Sequence, residues 1–224
     1  VRRGMRQNNS KEADTKRRIP VIGVTGGVGS GKSVVMELLE KEFGAGVILA
    51  DLVAHDLMEP GAVSYRQIVA EFGTEILDGE GRIDRPALSR IVFGHPEQLQ
   101  RLNAITHPNV KQEILSRIAR YREEGNVSVI ALEAALLIES GYEEILDELW
   151  YVYVCEEIRI RRLMEGRGYT EEKSRSIMAQ QLGEEAFRSH CSRIIDNNGD
   201  VESLREQLVK IFREEGLRAV SFDV

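Results

Sequence analysis

The chain has 224 residues, of which 42% are hydrophobic and 30% charged, and this composition excludes a protein that is disordered throughout. Two cysteines are too few for a disulfide framework or a cysteine-rich zinc site. The net charge of −7 is uneven, because residues 1–18 carry +5 and the remainder carries −12. An acidic body repels phosphate backbones, so we expect no binding to nucleic acid, and we interpret residues 1–18 as a disordered basic tail.

No apolar run approaches the roughly 18 residues that span a bilayer, and no signal-peptide core follows the N-terminus. We therefore expect a cytoplasmic protein that does not enter a membrane. Residues 19–224 have the length of one domain of ordinary size.

Short apolar runs alternate with amphipathic stretches along this domain, which is the pattern of an α/β fold. The predicted strands are 20–25, 47–50, 127–132, 149–154 and 193–195. Because helical stretches separate them, we predict a doubly wound, parallel five-stranded sheet with right-handed crossovers.

The glycine-rich segment after the first strand carries the strongest functional signal. Residues 26–33 read Gly-Gly-Val-Gly-Ser-Gly-Lys-Ser, which matches the P-loop pattern G-x-x-x-x-G-K-[ST] between a strand and a helix. Glycines let backbone N–H groups converge on an anion, and the helix N-terminus adds its positive dipole. We predict that Lys32 reaches the β- and γ-phosphates of ATP and that Ser33 binds Mg²⁺. The residues predicted to hold the nucleotide phosphates are Gly27, Val28, Gly29, Ser30, Gly31, Lys32 and Ser33.

Asp51 closes the second predicted strand. Ligands of open α/β sheets bind at the carboxyl ends of the strands, so this carboxylate is expected to orient and deprotonate an attacking hydroxyl group. The alternative is that Asp51 caps the N-terminus of a helix over 52–58.

Two later segments depart from a simple alternation. About seventy residues without a strand pattern follow Asp51, too many for a plain crossover, and we interpret them as an inserted helical substrate lobe. Its predicted helices are 65–72, 86–93, 97–105 and 110–121. The arginine-rich stretch 156–182 is predicted to be an exposed helical pair that acts as a lid. One or two of its arginines are expected to stabilise a transferring phosphoryl group, and the alternative for each is a solvated ion pair with a neighbouring glutamate. The candidates are Arg159, Arg161, Arg162 and Arg167.

Other users of nucleoside triphosphates fit less well. The D-x-x-G matches at 78–81 and 196–199 are interpreted as turns, and the N-K-x-D pattern of GTPases is absent from the sequence. The strand before Glu133 lacks the closing Asp or Asp-Glu that is typical of motor ATPases, and the chain is short for a motor. A small-molecule kinase fits better. The remaining alternatives are a nucleoside or nucleotide kinase and a nucleotide switch whose helical lobe binds a protein.

Further segments, taken together with the P-loop, resemble the dephospho-CoA kinases from Val21 to about Leu208. The matching segments are 24–33, 48–51 with His55, 81–85 with Leu88 and Phe93, 102–108, 136–139 and 195–199. The resemblance implies ATP-dependent phosphorylation of the ribose 3′-hydroxyl of dephospho-CoA, giving CoA and ADP. It also implies three parts, which are a nucleotide core (19–58, 126–155 and 190–215), a helical CoA lobe (59–125) and a lid (156–189).

The resemblance assigns roles to single residues as well. Asp51 corresponds to the proposed base, Arg85 and His107 lie in the acceptor lobe, and Asn197 lies in a loop near the adenine. The alternative for His107 is a cap for the helix that begins after it. We expect a monomer or a small homo-oligomer.

Two of this chain's departures from the family pattern bear on the predicted catalytic residues. Leu49 replaces the first acid of the usual Asp-Ala-Asp, so Asp51 must act alone. Gly166 stands where the lid motif usually has an arginine, so we predict that Arg167 is catalytic, with Arg162 as the next candidate.

Overall fold

The computed structural model describes residues 18–134, 137–138 and 141–217. Its central sheet has five strands, all parallel to their neighbours, in the order β2-β3-β1-β4-β5. The strands are β1 (Val21–Thr25), β2 (Gly46–Leu49), β3 (Ile130–Glu133), β4 (Glu148–Tyr153) and β5 (Arg193–Asp196). The predicted parallel α/β sheet is therefore confirmed. Residues 1–17 of the predicted tail and residues 136 and 139 of the matched segment 136–139 lie outside the described residues.

Helices cover both faces of this sheet. They are α1 (Lys32–Lys41), α2 (Ala50–Leu57), α3 (Val63–Phe72), α4 (Arg85–Val92), α5 (Pro96–Glu124), α6 (Glu156–Arg167), α7 (Glu171–Ala179), α8 (Glu184–His190) and α9 (Val201–Glu214). Single 3₁₀ turns occupy Thr74–Ile76 and Glu143–Ile145. Among the described residues, none of the helices has the length and apolarity that a bilayer crossing needs.

Alternate side chains of each strand enter two different hydrophobic layers. In β1, Ile22 and Val24 belong to the layer beneath α1 and α9, whereas Val21 belongs to the layer beneath α2 and α5. In β3, Ala131 and Leu132 divide between the layers in the same way. Strands buried on both faces read as continuous apolar runs, which is why the sequence identifies them. With both faces covered, the carboxyl edge of the sheet is the place where loops can form a site.

The third strand begins later than predicted. Residues 127–129 precede it, and pairing starts at Ile130, which lies opposite Val21 of β1 and Gly46 of β2. The apolar run is longer than the strand because Val129 is buried in the layer beneath α1 and α9 before the ladder begins.

The helical connection between β2 and β3 contains one long helix where two were predicted. The expected helices 97–105 and 110–121 are joined through Pro108 in α5. A proline removes the hydrogen bond to the carbonyl four residues earlier, which here belongs to the exposed Ala104. Burial on both sides of the proline, by Ile105 in one cluster and Val110 in another, favours continuation. Tertiary packing therefore outweighs the local signal.

This connection also has its own small core, formed by α3, the turn after it and α4. The fully or nearly fully buried members of that core are Ile68, Phe72, Ile76 and Leu88. Asp78 accepts hydrogen bonds at Oδ1 from the N–H groups of Glu80 and Arg82, at 2.9 Å each, so residues 78–81 form the predicted turn.

Candidate active site

The phosphate loop, residues 26–33, links the end of β1 to the start of α1. Gly29 and Gly31 have φ angles of +77° and +88°, in the left-handed region that favours glycine. Within the described part of the chain, no side chain caps the N-terminus of α1. The N–H of Val34 donates to the carbonyl of Gly31, and the N–H groups of Lys32 and Ser33 are left for an anion, as the sequence pattern predicts.

Lys32 begins α1 and reaches back over this loop. Its Nζ atom donates to the carbonyl of Gly26 at 2.8 Å and lies 4.0 Å from Oε1 of Glu133. Burial lowers the pKa of Lys32, and the charge of Glu133 opposes that effect. Arg159 and Arg167 lower the pKa further, and Arg159 has the larger influence of the two. The ammonium group thus sits partly desolvated among cations, a setting that an added polyanion would stabilise.

Glu133 is a site residue that our sequence analysis missed. It ends β3 and lies opposite Val24 of β1 and Leu49 of β2, so it stands between the phosphate loop and Asp51. Burial raises the pKa of Glu133, Lys32 lowers it, and Asp51 raises it again. The signal that could have found it was present, because a carboxylate directly after a buried strand lies at the same edge as the other strand ends.

Asp51 lies in the first turn of α2 and is exposed. The helix begins at Ala50, and its N-cap residue is Leu49, so the alternative in which Asp51 caps a helix over 52–58 is wrong. The short step from β2 directly into α2 places the carboxylate beside the sheet edge, where its charge acts on both Lys32 and Glu133.

Two adjoining cavities share Asp51. The larger, of about 650 Å³, runs along α5 and includes His107 and Lys111 in its lining. The smaller, of about 450 Å³, lies against α4 and includes Arg85 and His55. The structure therefore brings Asp51, Arg85 and His107 to two adjoining cavities, with Asp51 in the lining of both. His107 lies inside α5, so the alternative in which it caps a helix is wrong.

Asn197 and Arg162 contact the phosphate loop from the side of α6. Asn197 is buried, and its Nδ2 atom donates to the carbonyl of Ser30 at 2.8 Å. Arg162 donates from Nη2 to the carbonyl of Asn197 at 3.0 Å. Arg167 is the last residue of α6 and is exposed. Of the two arginines that we predicted to be catalytic, one is thus bound to backbone carbonyls and the other projects from a helix end.

The oxygen-rich side of the site suits a hard cation. The Ser33 hydroxyl is exposed at the start of α1. The carboxylate of Glu133 is at the end of β3, and that of Asp51 is in the first turn of α2, just after β2. Hydroxyl and carboxylate oxygens are the ligands that Mg²⁺ prefers, usually together with substrate phosphates. Among the residues that the structure describes, no three His, Cys, Asp or Glu side chains gather as a metal site of their own.

Comparison with known sequences gives one consistent family. The family model described as dephospho-CoA kinase matches residues 19–203. A dephospho-CoA kinase of Geobacillus kaustophilus is 43% identical over 195 residues, which cover 86% of this chain and 95% of that protein. A dephospho-CoA kinase of Carboxydothermus hydrogenoformans is 39% identical over 196 residues, covering 88% and 94%.

Solved structures show the same similarity in three dimensions. The Thermus thermophilus protein TT1252 superposes with a TM-score of 0.74 at 31% identity, covering 88% of this chain and 98% of that one. Dephospho-CoA kinase from Campylobacter jejuni superposes with a TM-score of 0.61 at 25% identity, covering 88% and 97%. The likeness extends over most of this chain and nearly all of each of the two solved chains.

Proposed function

Because this chain belongs to the dephospho-CoA kinase family, we propose that it transfers the γ-phosphoryl group of ATP to the ribose 3′-hydroxyl of dephospho-CoA. One observation carries the proposal. The carboxyl edge of the sheet carries a phosphate loop and an exposed Asp51, and Asp51 lines two cavities of about 650 and 450 Å³. A phosphate donor and a large alcohol acceptor can therefore meet at one carboxylate.

In the proposed reaction, the N–H groups of the phosphate loop and Lys32 hold the triphosphate. The ribose oxygen forms a bond to the γ-phosphorus while the bond from that phosphorus to the β–γ bridging oxygen breaks. The electron pair of the broken bond leaves with ADP, and the proton of the hydroxyl group passes to Asp51. Because the transition state is loose, holding the oxygen in line contributes more than the strength of the base.

We propose that Ser33 and Glu133 would hold Mg²⁺ beside the phosphates. When bound, Mg²⁺ neutralises charge on the phosphate oxygens. Glu133 suits this role because it is partly desolvated, already faces the ammonium of Lys32, and presents only oxygen ligands. Glu133 lies opposite Leu49 in the sheet, so it supplies a second carboxylate beside the position where the family's first acid is missing.

The other parts of the chain are assigned either to the phosphate acceptor, dephospho-CoA, or to the phosphate donor, ATP. We propose that residues 59–125 form the CoA lobe, with Arg85 and His107 at the acceptor, and that residues 156–189 form the lid over the core. Arg85 supplies a cation for a phosphate of the substrate, and His107 supplies a hydrogen-bonding ring at the other cavity. For Asn197, the contact with Ser30 supports a role in shaping the phosphate loop on the nucleotide side.

We propose a cytoplasmic enzyme that acts as a monomer or a small homo-oligomer and binds no nucleic acid. The two cysteines, Cys155 and Cys191, are free thiols, as expected in a reducing compartment. The acidic body of the chain disfavours a polyanionic partner larger than its nucleotides.

The test is a coupled assay for ADP with ATP, Mg²⁺ and a panel of acceptors. We expect rapid turnover with dephospho-CoA and little with adenosine or AMP. Lys32→Ala should lower kcat/KM by about 10²–10³, because a cation that stabilises transferred charge is lost. Faster turnover with a nucleoside or nucleotide would establish the alternative kinase instead. Slow hydrolysis that no small acceptor accelerates would favour a nucleotide switch.

A further inference from the structure

Arg159, in the first half of α6, lies directly against the phosphate loop. Its Nε atom donates to the carbonyl of Val28 at 3.0 Å. A methyl group on Gly27 would collide with the guanidinium group, so the close approach depends on a glycine at that position. This arginine therefore lies against the loop that is expected to hold the nucleotide phosphates.

A glutamine from the end of the lid fixes this arginine in place. Oε1 of Gln181 accepts from Nη2 of Arg159 at 3.1 Å and from the N–H of Val28 at 2.9 Å. Gln181 follows α7, whereas Arg159 belongs to α6. The segment after α7 and the helix α6 therefore both contact the backbone of Val28, one at its N–H and the other at its carbonyl. The result is a closed cycle of three hydrogen bonds in which every acceptor is a neutral oxygen.

Arg159 makes no close ion pair in the described part of the chain, and Glu156 acts on its charge only from a longer distance. No carboxylate of the described residues lies within 4.0 Å of it, whereas Arg175 pairs with Glu171 at 2.9 Å and Arg188 pairs with Glu184 at 2.6 Å. Burial lowers the pKa of Arg159, which reflects the cost of a partly desolvated cation. A phosphoryl group is a better acceptor for this guanidinium than an amide oxygen, because it is anionic and can accept two parallel hydrogen bonds from one arginine.

We propose that Arg159 is a further catalytic residue, which contacts the transferring γ-phosphoryl group, and that Gln181 is the positioning residue that aims it. The guanidinium supplies positive charge to the phosphoryl oxygens while the bond to ADP breaks, and it takes no proton. This inference rests on the proposed function and names the lid cation of the same site.

The structure favours Arg159 over the two arginines that the sequence suggests. Arg162, like Arg159, donates to two neutral oxygens, the carbonyls of Asn197 and Ser30 at 3.0 and 3.5 Å, but it is not among the cations whose charge acts on Lys32. Arg167 is exposed at the end of α6, and its effect on Lys32 is smaller than that of Arg159. Arg159 lies about two helical turns before Gly166 on the same helix, and Gly166 is the position where this chain lacks the usual lid arginine.

The decisive measurement compares ground-state and transition-state binding. We expect Arg159→Ala to lower kcat by about 10²–10³, as for other arginines that stabilise transferring phosphoryl groups. Affinity for ADP should change less than about threefold, while affinity for ADP with aluminium fluoride and dephospho-CoA should fall by about the same factor as kcat. Arg159→Lys should recover part of the loss, because it keeps the charge and loses the planar fork.

Two further variants complete the design. Arg188→Ala, which removes an exposed arginine that pairs with Glu184, is the matched control and should retain kcat within about twofold. Gln181→Ala should lower kcat by about 3–10-fold and weaken the aluminium fluoride complex in proportion, while Gln181→Glu should be worse because it pairs with Arg159 and withdraws its charge.

Several outcomes would overturn the proposal. One is an Arg159→Ala enzyme that turns over like wild type. Another is parallel loss of ADP affinity and kcat, which would make Arg159 only an anchor of the loop. Arg167→Ala causing the larger loss of kcat would assign the role to that residue. Thermal unfolding of each variant checks that it folds. If wild type prefers another acceptor, the proposed function fails, and the same comparison with that acceptor still tests Arg159.

Discussion

The proposed nucleotide side and the proposed acceptor side of this site are built in different ways. The phosphate loop is one continuous segment, and two partly or fully buried side chains, Arg162 and Asn197, donate to the carbonyl of Ser30 within it. The acceptor side instead collects exposed side chains, Asp51, Arg85 and His107, from three separate helices around open space. A triphosphate always presents the same anionic shape, so its cradle can be preformed. A long acceptor must enter and leave, so its contacts remain open to solvent until it binds.

This difference predicts how each side responds to substitution. A change on the nucleotide side should alter kcat, because the groups there are desolvated and act on developing charge. A change on the acceptor side should alter mainly the KM for the acceptor, because solvent screens exposed charges. Asp51 is the exception, since it lies at the junction and touches the reacting oxygen in the proposed mechanism.

The largest effect in the comparison is expected at that junction. Asp51→Asn keeps the shape of the side chain and removes its charge and its ability to take a proton. We expect kcat to fall by about 10²–10⁴ while the Kd for ATP changes little. Asp56→Asn is the matched control on the same helix, because Asp56 pairs with Arg117 away from the two cavities that Asp51 shares. Turnover at the wild-type rate in Asp51→Asn would remove the assignment.

The second expected effect concerns Glu133, on the nucleotide side. Burial raises the pKa of this carboxyl group, so it stays protonated to a higher pH than an exposed glutamate. If the ionised form helps to hold Mg²⁺, kcat should fall as the pH is lowered through that raised pKa. Glu133→Gln should lower kcat by about 10–10² at neutral pH and lose this acidic limb of the profile.

The control for Glu133 is Glu37→Gln, which removes a surface partner of Lys41. It should leave both the rate and the pH profile unchanged, because exposed pairs of this kind contribute little. An acidic limb that persists in Glu133→Gln would show that another group causes it. Titrating Mg²⁺ at fixed ATP should also require a higher concentration for Glu133→Gln than for wild type.

The two sides also differ in how far they could be predicted from sequence. The phosphate loop is a local pattern, and its neighbouring elements follow from hydrophobic runs, so β1, α1 and the parallel sheet agree with expectation. Asp51 was found because it directly follows a strand. Glu133 satisfies the same criterion and was missed, because its importance depends on β3 lying between β2 and β1. Strand order is a property of the whole fold and not of any segment.

Long-range contacts explain the other differences. Local propensity ends a helix before Pro108, but burial of Ile105 and Val110 in two different clusters carries α5 through it. The contact between Arg159 and Val28 joins residues 131 positions apart, and Gln181 belongs to no motif. The choice among the arginines of this segment therefore required coordinates, whereas the pair of helices predicted over 156–182 did not.

The smallest expected effect tests the acceptor side alone. Arg85 is exposed at the first position of α4, where it lines the smaller cavity with Asp51. Arg85→Ala should raise the KM for dephospho-CoA by about 3–10-fold at low salt, and by less at high salt, because an exposed charge is screened. The kcat and the KM for ATP should stay within about twofold.

Arg90→Ala, in the last turn of the same helix and outside the lining of both cavities, is the matched control for Arg85 and should change neither constant. A rise in the KM for ATP in Arg85→Ala would contradict the division into two sides, since it would place this helix at the nucleotide. A fall in kcat with an unchanged KM would do the same, because it would require Arg85 to act on the transferring group. A rise in the KM for dephospho-CoA that high salt suppresses is the one result consistent with the proposed division. It requires an acceptor surface that is open to solvent and a phosphate loop that is already formed.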